Sequence, residues 1–119
     1  MNVILTGGSG FIGSNLVKHL SKLRSFKVML ISRKKISTSN HKNVILLETD
    51  LSNIEKHKKK IIKFNPKILI HLAWDKIPNF SFLNCKDNER KTKILINFLC
   101  KNTNLSKIII SGSCFEIKP

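Results

Sequence analysis

Four of the chain's five glycines, Gly7, Gly8, Gly10 and Gly13, fall within seven positions, in the stretch TGGSGFIGSNL that runs from Thr6 to Leu16. The stretch follows a short apolar run, NVILT (2–6), and leads into a segment with Ile12, Leu16, Leu20 and Leu23 at helical spacing. Glycine lets the backbone turn tightly and lets an anion approach with no Cβ in the way. A helix that starts there adds unpaired N–H groups and roughly half a positive charge. Three glycines at a spacing of three, Gly7, Gly10 and Gly13, therefore predict a phosphate-binding loop between a buried strand and a helix. A turn that was merely flexible would not need them concentrated at one junction. Gly13, one turn inside, would let the helix pack closely on the sheet.

The rest of the chain repeats the strand–helix alternation. KVMLIS (27–32), NVILLE (43–48), KILIHLA (67–73) and KIIIS (107–111) are apolar throughout, as expected of strands buried on both faces. Residues 52–64 have a helical pattern, opened by Ser52 with Glu55 three positions on and closed by Pro66. Residues 85–102 form a longer helix, with Asp87/Lys91 and Glu89/Lys93 as i,i+4 pairs and Ile94, Leu95, Phe98 and Leu99 as its apolar stripe. Only residues 33–42, polar and rich in serine and lysine, lack a crossover helix. The pattern predicts an α/β, doubly wound parallel sheet of Rossmann type with strand order 3-2-1-4-5.

At 119 residues the chain has the length of one domain, 1–119, enough to enclose one core. Its net charge of +15 comes from 22 Lys and Arg against 7 Asp and Glu. Such a balance raises nucleic acid or an anionic membrane as partners. Against that, the lysines are spread along the whole chain, and Lys, Asn and Ile are inflated together, as AT-rich coding produces. The densest cluster, EKHKKK (55–60), lies on a helix whose Ile54, Ile61 and Phe64 take the other face, so it reads as a solvated surface. Tyrosine is absent and no basic–aromatic interleaving suggests base stacking, which leaves nucleic-acid binding a minority reading. MNVILTGG has neither a basic leader nor an apolar run of spanning length. Cys85, Cys100 and Cys114 are odd in number and widely spaced, with no metal or redox motif, which fits reduced thiols in a cytoplasmic protein.

The loop reads G-x-x-G-x-x-G after Thr6, distinct from the G-x-G-x-x-G dinucleotide fingerprint. TGGSGFIG resembles the TGxxGxxG cofactor loop of the extended short-chain dehydrogenases/reductases, which include the NAD(P)-dependent nucleotide-sugar epimerases, dehydratases and reductases. ETDLSN (48–53), ILIHLAW (68–74) and IIISGSCFE (108–116) continue the resemblance in the same order. It implies cofactor contacts at Gly7, Gly10, Phe11, Ile12 and Gly13. It also implies an adenine-amino acceptor at Asp50 with Leu51 beside it, and cofactor contacts after strand four at Leu72, Ala73 and Trp74, of which Ala73 is the small residue that lies against the cofactor. Trp74 reads equally as ordinary packing, and Asp50 alternatively as a turn before a Ser52 cap. His71 is structural in the family, and no second histidine stands at ligand spacing, so no metal is expected.

The end of strand two chooses the cofactor. NAD-specific relatives carry an acid there, whereas this chain reads ISRKK, with Ser32 in its place and Arg33, Lys34 and Lys35 following. A carboxylate repels a ribose 2′-phosphate and an arginine fork pairs with it, so NADP(H) is favoured over NAD(H).

Ser113 matches the family's catalytic Ser/Thr, and Asn88 and Thr92 resemble an NxxGT helix pattern in which Lys91 replaces the glycine. The resemblance also implies what is missing: a Tyr-x-x-x-Lys pair and a C-terminal domain for the nucleotide sugar. The sequence contains no tyrosine, and Ile117 stands where the family has one. The expectation is an N-terminal half truncated after strand five and catalytically incomplete, which would take a nucleotide sugar only if the missing half were supplied. The rival expectation is a non-enzymatic dinucleotide- or partner-binding module. Either form would leave apolar surface for association or homo-oligomer formation.

Overall fold

The computed structural model of the chain describes residues 1–38, 40–76 and 79–112. Five strands, β1 (Asn2–Thr6), β2 (Lys27–Ser32), β3 (Val44–Glu48), β4 (Ile68–His71) and β5 (Lys107–Ile110), form one all-parallel sheet in the order β3-β2-β1-β4-β5. Helix α1 (Phe11–Leu20) follows β1. A 3-10 segment (Leu51–His57) running into α2 (Lys58–Phe64) follows β3, and α3 (Phe82–Asn102) precedes β5. This is the doubly wound arrangement the alternation of apolar runs predicts.

Side-chain alternation along the strands divides the core in two. Ile4, Met29, Ile31, Leu47 and Leu69 face one side, where Ile54, Ile61, Leu95, Phe98 and Leu99 from the later helices cover them. Leu5, Val28, Leu30 and Val44 face the other, against Val17 and Leu20 of α1. Burying each such side chain contributes roughly 1.5–3 kcal/mol, so both layers are needed to hold the central strands. At the far edge β5 is exposed along all four of its residues. No helix among the described residues is long and apolar enough to cross a membrane.

Three local details depart from the sequence reading. The buried face of α1 is Gly13, Val17 and Leu20, while Ile12 is exposed. A glycine carries no apolar side chain, so the apolar spacing points to the leucines and misses Gly13. The cap of the segment after β3 is Asp50, whose carboxylate accepts from the Ser52 amide at 2.9 Å, in place of a Ser52–Glu55 box. That segment is kinked at Asn53, and α2 begins only at Lys58. It ends at Asn65, in the left-handed conformation at φ 47°, one residue before Pro66. Finally, α3 starts at Phe82, three residues before the predicted start, because the Ser81 hydroxyl caps the Asn84 amide.

The strand register aligns the C-terminal ends that matter. Thr6 of β1 lies beside Ile31 of β2 and His71 of β4, and Ser32 lies beside Glu48 of β3. The glycine loop, Arg33, Asp50 and Ala73 therefore emerge along one edge of the sheet, the edge at which open parallel sheets bind ligands.

Candidate functional site

The loop after β1 is built around two glycines that admit no substitute. Gly7 has φ +76°, and a Cβ there would lie 2.7 Å from the Leu72 carbonyl carbon and 2.8 Å from the Ala73 nitrogen. Gly13 packs so closely that a Cβ would run into the Gly7 carbonyl oxygen. The close packing predicted at this position thus falls on the loop's own backbone. Gly10 differs: its φ of −77° and ψ of 176° are ordinary extended backbone, and a Cβ would meet only the Gly7 oxygen at 3.4 Å. Its missing side chain leaves open space in front of the loop. The first intrahelical bond runs from the Ser14 amide to the Gly10 carbonyl, and no side chain caps this end. The amides of Phe11 and Ile12 precede that bond, and their side chains are exposed. Any contact these two residues make to an anion at the loop is through the main chain.

A cavity opens at this loop. Gly7 and Gly10 form its floor, Ser32, Arg33 and Lys34 its wall after β2, Asp50 and Leu51 its wall after β3, and Leu72, Ala73 and Trp74 its wall after β4. The structure thus brings nine of the expected cofactor residues to one cavity. Phe11, Ile12 and Gly13 are not on its lining, and Ser113 lies outside the described residues. Trp74 is 41% exposed, so it is not core packing.

Charged groups cross this cavity in an alternating chain. Arg33 pairs with Asp75 at 2.8 Å, and Asp75 pairs with Lys91 of α3 at 2.7 Å. Lys91 also faces Asp50 at 3.7 Å and Asp87 at 3.5 Å. Burial pushes the Asp50 carboxyl up, but the Ser52 amide and hydroxyl, with Lys91 and Arg33 nearby, outweigh it and hold the group below its ordinary value. The hydrogen bond to Asp75 raises the Lys91 ammonium against its desolvation, and Asp50 and Asp87 add to the effect. Asn88 clamps the Asp75 backbone on both sides, accepting from its N–H at 2.8 Å and donating to its carbonyl at 3.2 Å. Asn84 donates to the same carbonyl at 2.9 Å.

Beneath the cavity, His71 joins β1 to α3. Its Nδ1 lies 2.7 Å from Thr6 Oγ1 and its Nε2 lies 2.8 Å from Thr92 Oγ1. Thr6 Oγ1 already accepts from the amides of Leu72 and Ala73, both at 3.2 Å. A hydroxyl has two acceptor positions and one proton, so Thr6 donates to Nδ1 and the imidazole carries its proton on Nε2. This ring is a neutral strut, as the family resemblance implies. Burial pushes its pKa below the ordinary value. The unfolded chain therefore binds a proton that the native state refuses, and stability is lost as pH falls below about 6.5. We expect the urea midpoint to fall between pH 7 and pH 5, and His71→Gln to flatten that decline. An unchanged slope in the variant would contradict the assignment.

No motif or spacing in the sequence singles out Asp75. Its one available signal was scarcity: it is one of only seven acids in a strongly basic chain. Asn88, Lys91 and Thr92, the residues of the NxxGT-like pattern on α3, all line the cavity.

A parallel sheet in this order, with a glycine loop and an uncapped helix at the C-terminal edge of its first strand, defines a dinucleotide-binding α/β domain of Rossmann type. The model of the NAD dependent epimerase/dehydratase family matches residues 3–116, and the chain belongs to that family. No curated protein matches the chain. Among solved structures it is similar to the UDP-Glc/GlcNAc 4-epimerase of Campylobacter jejuni, with a TM-score of 0.77 and 22% identity over 95% of this chain and 37% of that one. It is also similar to the UDP-glucuronic acid 4-epimerase of Bacillus cereus in complex with NAD, with a TM-score of 0.76 and 23% identity over 96% and 40%. The UDP-glucose 4-epimerase of Thermotoga maritima gives a TM-score of 0.74 and 22% identity over 95% and 38%. The chain spans about two-fifths of the length of these relatives.

Proposed function

We propose that this chain binds NADP(H) in preference to NAD(H), as the cofactor domain of an oxidoreductase acting on nucleotide sugars. The observation that carries the reading is the open space at Gly10 in front of an uncapped helix, in a cavity whose β2 wall ends in Ser32 and Arg33 with no acid. The main-chain amides at the start of α1 hold the pyrophosphate. The Asp50 carboxylate, kept ionised, accepts from the adenine amino group through the oxygen that Ser52 leaves open, and Leu51 supplies apolar contact. Arg33, with Lys34 beside it, meets the ribose 2′-phosphate. Ala73 lets the cofactor lie close to the end of β4. The bound nicotinamide supplies hydride transfer at a sugar carbon. Ser113 is the group the family resemblance assigns to the substrate oxygen. The solved relatives support the substrate class through the UDP-sugars in their names.

Titration calorimetry with both cofactors tests this. A charge-assisted hydrogen bond contributes about 1.5–3 kcal/mol, so Arg33→Ala should weaken NADPH roughly ten- to a hundredfold and NADH little. Equal affinities in the parent chain, unmoved by the substitution, would remove the NADP(H) assignment.

A further inference from the structure

Arg33 already has an anionic partner inside the chain. The Arg33–Asp75 pair ties the wall after β2 to the wall after β4, the two strands that flank β1 and its glycine loop. The two ends of this tie differ in freedom. Asp75 is 16% exposed, its backbone is held by Asn88, and its carboxylate stays on Lys91, itself 14% exposed. The Arg33 side chain is 54% exposed and stands at the end of a long stem beyond β2. When the pair opens, Arg33 is the partner that moves.

We propose that Asp75 is a specificity-determining residue of the dinucleotide site, an internal carboxylate that competes with the ribose 2′-phosphate for Arg33. The inference rests on the dinucleotide reading above. A 2′-phosphate carries more charge than a carboxylate and offers three acceptor oxygens, so it displaces Asp75 from the guanidinium. A 2′-hydroxyl has no charge with which to compete, so NADH binds with the pair closed. Asp75 therefore narrows the preference for NADPH that Arg33 creates. Lys91, by keeping Asp75 in place after Arg33 leaves, makes the exchange reversible.

The experiment is calorimetric titration of the 119-residue chain with NADPH and with NADH, in the parent, Asp75→Asn, Arg33→Ala and the double variant. Asp75→Asn should raise the ratio of NADPH to NADH affinity about fivefold, equivalent to about 1 kcal/mol, the upper range for a half-exposed ion pair. In the Arg33→Ala background the same substitution should leave the ratio unchanged. The proposal is overturned if both cofactors gain equally, if the ratio does not move, or if it moves without Arg33. Asp75→Ser gives the same readout should the asparagine variant lose its helical circular dichroism. A parent chain that binds neither cofactor overturns the dinucleotide reading and this proposal with it. Binding of both at an unmoved ratio overturns only the proposal.

Discussion

Gly10→Val is expected to abolish binding of both NADPH and NADH while leaving the fold in place. Position 10 sits at φ −77° and ψ 176°, a region open to any residue, and a Cβ there meets one backbone oxygen at an ordinary 3.4 Å. Valine is a poorer N-cap than glycine, at a cost of about 1 kcal/mol or less. Its branched methyls, however, occupy the space in front of the amides that hold the pyrophosphate. Losing two charge-assisted hydrogen bonds of about 1.5–3 kcal/mol each removes roughly a hundred- to ten-thousandfold in affinity. Calorimetry reads the loss, and far-ultraviolet circular dichroism with a thermal melt reads the fold. Undiminished binding by the variant would show that the phosphates sit elsewhere.

Gly13→Ala should do the reverse and destabilise the fold itself. On helix propensity alone the change is favourable by about 1 kcal/mol, because alanine is the better helix former. The tertiary contact has the opposite sign and is larger. The new methyl would overlap the Gly7 carbonyl, and Gly7 cannot retreat because it is packed against the backbone of Leu72 and Ala73. Forced overpacking of this kind costs about 1–3 kcal/mol, and more when backbone has to move. Native domains have only about 5–15 kcal/mol in total, so the loss is a large share. Urea denaturation should show a clear fall in midpoint. A variant as stable as the parent would mean that the loop is looser than its packing indicates.

The two substitutions separate what the glycines do. Gly7 and Gly13 make the loop possible, and Gly10 keeps its front clear. From spacing alone the three look equivalent, since each is a residue without a side chain at one junction.

The parallel sheet and the place of the loop are legible in the sequence because each depends on a local or periodic signal, and the strand order follows from the Rossmann type that they define. Runs that are apolar throughout require cover on both faces, and their alternation with helical patterns selects a parallel sheet between helices. The residues expected at the strand ends came from the family resemblance, and the parallel sheet brings those ends to one edge, where nine of them line one cavity. Local details are ambiguous in the sequence where two signals compete. Asp50 and Ser52 are both good caps, and only the chain's path after β3 selected Asp50. The apolar spacing of α1 points to its leucines, whereas its deepest contact is made by Gly13, a residue with no side chain to count. What only the tertiary structure decided is the charge chain Arg33–Asp75–Lys91–Asp50. Its members come from four separate segments, and no spacing rule links them. Charges pair according to distance in space, and distance in space is set by the packing of strands and helices that the apolar pattern directs.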